Sequence, residues 1–418
     1  MTATSQTTSR WGALRHRGYR LFWLARVSAT FAALVVSVSV GWQVYDLTRN
    51  PLDLGFVGLV QFTPSLLLVL VTGTASDRFN RRAIISICQA VEGLVAALFL
   101  ALTAFRVITV GEIFALLVVF GTARAFLNPA SQSLLTNLVP TSELANAIAW
   151  NSTAWQIATI LGPVAGGLLY GVSAEVAFGA ATLLFGTAAG LVALVPRPPQ
   201  KTIPERPTWS TLLAGVRYVW QQKIVLGAIS LDLFAVLLGG ATALLPAYAR
   251  DILVVGPWGL GLLRAAPGIG ALSVVFVLAA HPIRDHAGLI LFVGVTIFGV
   301  FTAVFGASTI VWLSIAALAL MGAGDMVSVF VRETIIQLWT PDAVRGRVSA
   351  VNMVFVGASN ELGEFRAGTV AALIGVVPAV ILGGIGTVIV AGLWSQMFPE
   401  LRRVRYLDGR RDGAERKA

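Results

Sequence analysis

The chain has 418 residues, of which 56% are hydrophobic and 12% charged, with 42 glycines and a formal net charge of +10. A soluble domain carries about 25% charged residues, roughly twice that share, so a soluble enzyme, a nucleic-acid binder and a disulfide-stapled secreted protein are poor readings. The apolar residues instead gather in runs of about 20, the length that crosses a hydrocarbon core of about 30 Å. The one cysteine, Cys88, lies inside such a run, which leaves no disulfide framework and no thiolate metal site.

Arg10, Arg15, Arg17 and Arg20 precede the first apolar run. That run is too long for a signal-peptide core and others follow it, so it reads as an uncleaved first helix. Turn and charge signals divide the chain into spans near 21–46, 54–76, 83–105, 110–133, 145–172, 176–196, 224–249, 257–280, 288–306, 310–337, 347–375 and 378–398. All twelve are predicted helices, because a chain in hydrocarbon must satisfy its own backbone hydrogen bonds. Between the sixth and seventh, Pro196, Pro198, Pro199, Pro204 and Pro207 predict a stiff linker, and Trp209 to Gln222 an amphipathic helix lying in the interface. The predicted organisation is a six-helix bundle over 1–196, a cytoplasmic linker over 197–223, a second six-helix bundle over 224–398 and a basic tail over 399–418.

Twelve spans put both termini on one side. With that side cytoplasmic, 22 lysines and arginines lie in cytoplasmic segments and three, Arg49, Arg106 and Arg250, lie outside. Positive charge stays cytoplasmic, so this split predicts both termini inside. It also accounts for the basic character as a topology signal, with no bearing on nucleic acid. A shift of 201 residues lays Asn151 on Asn352, Gly121 on Gly322, Gly162 on Gly363 and Gly167 on Gly368. Matches at one offset, at corresponding points between spans, argue for a 6 + 6 repeat, the architecture of a secondary transporter with its site between the halves.

The segment Gly73-Thr74-Ala75-Ser76-Asp77-Arg78-Phe79-Asn80-Arg81-Arg82, between the second and third spans, resembles the G-x-x-x-D-R-x-x-R-R loop signature of the major facilitator superfamily. Gly162-Pro163-Val164-Ala165-Gly166-Gly167 resembles the G-P-x-x-G-G core of that superfamily's exporter motif. Within the superfamily the chain is most similar to the enterobactin-exporter-like and macrolide-efflux-like branch, a likeness that Leu231-Asp232-Leu233-Phe234 and Leu244-Leu245-Pro246-Ala247-Tyr248 support less specifically. The second copy of the loop signature keeps little beyond Arg284, and the second exporter motif, Gly363 to Gly368, lacks the proline. The resemblance implies an all-α membrane protein with twelve helices in two pseudo-symmetric six-helix bundles.

In the loop signature, Gly73 is expected to end a helix and Asp77 to cap the next and pair with nearby guanidinium groups. The resemblance makes Gly73, Asp77, Arg78, Arg81 and Arg82 a cytoplasmic latch that breaks and reforms during transport; the plain alternative is a solvated loop obeying the positive-inside bias. Gly162, Gly166 and Gly167 clear a helix face for close approach, and Pro163 removes a backbone hydrogen bond and permits a kink. The resemblance reads these as a bend that favours export, against simple packing.

Charges inside the spans comprise Arg26, Arg124, Arg264, Arg332 and Arg366 with Glu92, Asp232, Asp325, Glu333, Glu361 and Glu364. Each costs about 2.5–3.5 kcal/mol at a helix centre, so they must pair, neutralise or face water. Arg124 and Asp325 stand 201 residues apart, at equivalent depths of the fourth and tenth spans, which in the superfamily line the central cavity. They are candidates for substrate or proton binding there, paired with one another or satisfied within their own halves. Asp232 in the seventh span is a further cavity candidate. Glu361 and Glu364, three apart, share a helix face, where two close carboxyls favour holding a proton unless Arg332 or Arg366 ties them down. Arg26 is expected to snorkel to the cytoplasmic surface, Glu92 has no assigned role, and Trp155 and Gln156 are weighed as substrate contacts or core. Asn151-Ser152-Thr153 matches a glycosylation sequon but lies within a span, and His16, His281 and His286 lack metal-ligand spacing. Neither cofactor nor metal is expected, and no nucleophile constellation or Walker loop is present, so the chain is not read as an enzyme.

The expectation is a monomeric secondary transporter of a bacterial inner membrane, exporting an amphiphilic small molecule such as a siderophore or drug in exchange for protons. The alternatives are an importer of a nutrient or lysolipid on the same fold, and a membrane receptor that does not transport.

Overall fold

The computed structural model describes residues 11–197 and 209–407, all of them in helices or short connections, with no strand among them. The principal helices are α1 (Arg17–Thr48), α2 (Pro51–Leu67), α3 (Val69–Arg78), α4 (Arg81–Ala104), α5 (Val110–Leu138), α6 (Leu144–Val172) and α7 (Ala174–Ala193). They continue with α8 (Trp209–Gln221), α9 (Lys223–Gly239), α10 (Gly256–Ala280), α11 (Ala287–Ala307), α12 (Val311–Trp339), α13 (Asp342–Ile374) and α14 (Val376–Met397). The twelve predicted spans match this series, their ends differing by a few residues.

Among the described residues, ten helical segments are long and apolar enough to cross a membrane by length and composition. The two remaining predicted spans depart for physical reasons. The second is divided at Leu68 into α2 and α3, just after Pro64, whose ring withholds a backbone donor inside α2. The eleventh, α13, is 33 residues long but carries Glu361, Glu364 and Arg366 in its second half. The seventh span is also interrupted: α9 stops at Gly239, and the chain resumes through Leu245–Ala247 into a π-helical turn at Tyr248–Ile252. Polar caps start some of the helices after tight turns. Asn80 accepts from the backbone of Arg82 and Ala83 at the head of α4, and Thr109 with Glu112 forms a reciprocal capping box on α5.

The chain forms two compact units, one of Met1–Val40 and Val60–Pro207, the other of Gly41–Leu59 and Thr208–Ala418. The hairpin formed by the end of α1 and the start of α2 therefore belongs with the second unit. The amphipathic helix expected at Trp209 to Gln222 is present as α8: Val219 packs with Ile336, Val348 and Val351, while Trp220 stays exposed. Of the linker prolines, Pro198, Pro199, Pro204 and Pro207 lie outside the described residues, as do Arg10 and the tail beyond residue 407.

The repeat read from the sequence reappears as repeated packing. In the first unit a Cβ on Gly121 of α5 would overlap the Gln61 carbonyl of α2; in the second, one on Gly322 of α12 would overlap the Pro267 carbonyl of α10. A Cβ on Gly162 of α6 would press into the Leu34 side chain of α1, and one on its counterpart Gly363 of α13 would stand 2.8 Å from the Val236 carbonyl of α9. Each unit thus presses the same glycines against the same kind of neighbour, so helix backbones approach closely without water driving them together. Gly121→Leu should therefore split α5 from α2 and remove most folded protein from detergent extracts, whereas Gly111→Leu, facing open space, should leave the yield near wild type. Size-exclusion chromatography of both variants checks this.

Candidate functional site

In the first unit, α1, α4, α5 and α6 enclose a polar pocket of about 80 Å³. Arg26 comes from α1, Gln89 and Glu92 from α4, Arg124 and Asn128 from α5, and Trp155 from α6. Gln89 and Glu92 are one turn apart on the face that α4 buries, only 3% and 1% exposed. Both carboxylate oxygens of Glu92 and Oε1 of Gln89 lack a hydrogen-bond partner among the described residues. Arg124 stands 5.7 Å from the centre of the Phe120 ring and feels the charge of Glu92. Arg124 and Arg26 make no ion pair among the described residues. Sequence reasoning undervalued two of these groups: Arg26 lines this pocket, and Glu92 is its buried acid. The available signal was Gln89 three residues before Glu92, the one charged residue of that helix beyond Arg82.

The second unit holds the other candidates. Asp232 of α9 pairs with Arg332 of α12, both almost fully buried. Arg332 Nε also lies 3.8 Å from Glu333, whose Oε1 accepts from Asn352 Nδ2 at 2.7 Å. Asp325, two turns before Arg332 on α12, has no hydrogen bond or ion pair among the described residues. Glu361 and Glu364 converge on the bare Cα of Gly58: a Cβ there would collide with Glu361 Oε2 and stand 3.0 Å from Glu364 Oε2. The cation acting on Glu364 is Arg264 of α10, whose guanidinium lies 3.1 Å from the Cβ position of Gly41. Neither arginine considered as their partner is engaged with them, since Arg366 donates to the Leu238 carbonyl and Arg332 is held by Asp232.

Beyond these acids, the hairpin Gly41–Leu59 is fastened to the π-helical turn by two crossed ion pairs. Arg250 meets Asp46, and Arg49 Nη1 meets Asp251 Oδ1 at 2.9 Å. The Tyr45 hydroxyl donates to Asp251 Oδ2 at 2.5 Å, and Arg250 lies 5.3 Å from the Trp42 ring centre. Two of the three basic residues expected outside the cytoplasm, Arg49 and Arg250, thus pair with carboxylates.

The loop signature is arranged differently from the expectation. Gly73 lies within α3, which continues to Arg78, and Asn80 rather than Asp77 caps α4, because the helix ends only at the extended Phe79. The arginines donate to backbone carbonyls at or near helix ends. Arg81 is buried and donates to the carbonyls of Ser76 and Ser133 at 3.2 and 3.4 Å, and Arg82 to that of Val195 at 2.7 Å; Arg78 is exposed. In the exporter motif, Pro163 sits inside α6 with Gly162, Gly166 and Gly167 buried, and a Cβ on Gly166 would stand 3.1 and 3.2 Å from Val35 and Val38 of α1. Among the described residues no group of three or more histidines, cysteines or carboxylates could hold a metal ion.

These elements match known proteins over nearly the whole chain. The family model for transmembrane secretion effectors covers residues 8–408. The enterobactin exporter EntS of Citrobacter koseri is 25% identical over 411 residues, covering 96% of each chain. The crystal structure of a bacterial homologue of the human lysosomal transporter Spinster, inward-facing and occupied, aligns with a TM-score of 0.75 at 15% identity, covering 93% of this chain and 98% of that one. The nucleoside transporter NupG aligns with a TM-score of 0.69 at 13% identity, over 91% of this chain and 99% of its own. The chain is an integral membrane transporter of the major facilitator superfamily, and within it belongs to the transmembrane secretion effector family.

Proposed function

We propose that the protein is a proton-coupled exporter of amphiphilic small molecules, siderophores or drugs, working as a monomer in the bacterial inner membrane with both termini cytoplasmic. The halves 1–196 and 224–398 rock about a central site, and protonation of an intramembrane acid biases the two conformations. One observation carries the choice of acid. Asp325 is a carboxylate inside a spanning helix with no partner among the described residues, whereas Asp232 is committed to Arg332. A proton is the simplest counterion for a carboxylate so placed. Support for export comes from the G-P-x-x-G-G segment of α6 and from relatives that carry the name of enterobactin exporters. Flux of candidate compounds into inside-out proteoliposomes, with and without an acidic lumen, tests the reading. Uptake that ignores the pH gradient would remove the proton from it.

The crossed pairs at Asp46, Arg49, Arg250 and Asp251 act in this scheme as the extracytoplasmic latch, and Arg81 and Arg82 as the cytoplasmic one. Each exposed pair contributes about 0–1 kcal/mol, enough to tilt a conformational balance and too little to hold the fold. Asp46→Arg should slow transport several-fold by opposing two guanidinium groups, and the swap Asp46→Arg with Arg250→Asp should recover it. A swapped variant no faster than the single one would deny the pair a part in transport.

A further inference from the structure

We infer that the pocket of the first unit is the receptor for one polar head group of the substrate, an anion carrying a hydroxyl or N–H donor beside its negative charge. This rests on the transport reading above and names the chemistry that the transported molecule must bring. Three features of the pocket carry it. The guanidinium groups of Arg26 and Arg124 face the cavity with no carboxylate bound to either. Together they supply a surplus of donors, suited to the paired acceptor oxygens of a carboxylate or a similar anion. Against them stand three acceptor atoms, Oε1 and Oε2 of Glu92 and Oε1 of Gln89, buried without a donor among the described residues. Unsatisfied acceptors of this kind cost about 1–3 kcal/mol each, more for charged groups, and a ligand N–H or O–H relieves that cost. A simple anion answers the arginines and leaves the acceptors unmet, while a cation answers Glu92 and is repelled by the arginines. An anion with an adjacent donor answers both sets at once.

Size limits the match to a head group. About 80 Å³ admits a few waters or one small polar group, whereas pockets that take a whole drug-sized ligand measure about 300–1,000 Å³. The half-exposed indole of Trp155, lining the cavity, offers apolar and aromatic surface to the part of the ligand next to that group. With two guanidinium groups against one acid, the pocket has an excess of basic groups, which an anion complements inside the membrane.

Four phenyl compounds of similar size separate the requirements. Mandelate is an anion with a neighbouring hydroxyl, phenylacetate the same anion without it, 2-phenylethanol neutral, and phenethylamine a cation. Binding to the full-length purified protein, read by isothermal titration at millimolar ligand, should rank mandelate first and phenylacetate second, with the other two about tenfold or more weaker. Arg124→Gln should remove the preference for anions, and Arg124→Lys should keep the charge while losing part of the affinity. Glu92→Gln is the sharper test: it should strengthen phenylacetate by removing a repelling charge, so that the mandelate-to-phenylacetate ratio falls towards one. Equal binding of all four compounds, no binding of any, or a ratio unmoved in a folded Glu92→Gln protein would overturn the inference. Proteoliposome flux is read separately. Flux without the charge preference leaves the exporter reading intact and sinks this one; the charge preference without flux does the reverse.

Discussion

Arg332→Leu should lower the stability of the protein by about 3–5 kcal/mol, the usual consequence of removing one partner from a buried ion pair. Arg332 and Asp232 are each under a tenth exposed and pair across the α9–α12 contact. The loss arises less from the missing attraction than from an orphaned carboxylate held among apolar neighbours such as Leu231, Ala235 and Val331. The expected pattern across variants follows. Asp232→Asn alone should be harmful, because it leaves a buried guanidinium group with no counter-charge except Glu333 at 3.8 Å. The double variant Asp232→Leu with Arg332→Leu should recover much of the loss, since neither charge remains to be desolvated. Thermal unfolding of the detergent-solubilised proteins, with the double-mutant cycle closed, measures the coupling. Independent, additive losses would mean that the two side chains do not act as a pair.

The repeat was legible in the sequence because its constraint is steric and local. A glycine pressed against a backbone carbonyl admits no side chain, so Gly121 and Gly322 mark corresponding helix crossings in the two units. The spans were legible because hydrocarbon demands long apolar helices, whatever lies beside them. The breaks at Leu68 and Gly239 were less so, since neither interrupts the apolar run that defines a span; Pro64 hinted at the first and the Gly239-Gly240 pair at the second. Asp77 was a reasonable cap by residue type, but a cap depends on where the preceding helix stops, and α3 runs through to Arg78 before Asn80 turns the chain.

Side-chain partnership was the least legible feature. Five arginines and six carboxylates within spans permit many pairings, and sequence separation does not rank them. Asp232 and Arg332 are a hundred residues apart yet touch, while Glu364 and Arg366, two apart, point to different partners because i and i+2 do not share a helix face. Glu92 carries no role in the sequence because nothing near it in the chain names a partner. Its neighbours on α1 and α5 turn that position into the buried wall of a polar pocket.

Asp325→Asn should abolish coupling while leaving the carrier able to move substrate. The amide has the size of the carboxyl and remains neutral, so it imitates the protonated form and should insert and fold as the wild type does. The surroundings of Asp325 favour it as the proton's station. The adjacent helix α11 contains no ionisable residue, and the one on α10, Arg264, acts electrostatically on Glu364. With Arg332 held by Asp232, no cation is left on α12 to fix Asp325 in its charged state. If one proton is exchanged for each substrate, a pH difference of one unit supplies about 1.4 kcal/mol and sustains about a tenfold accumulation. The Asn variant binds no proton there, so its accumulation ratio should fall to about one at every gradient. Exchange of labelled for unlabelled substrate across the same vesicles needs no proton and should continue at close to the wild-type rate. Accumulation that still rises tenfold per pH unit in the variant would move the coupling site elsewhere, with the carboxyl pair Glu361 and Glu364 the next to be neutralised.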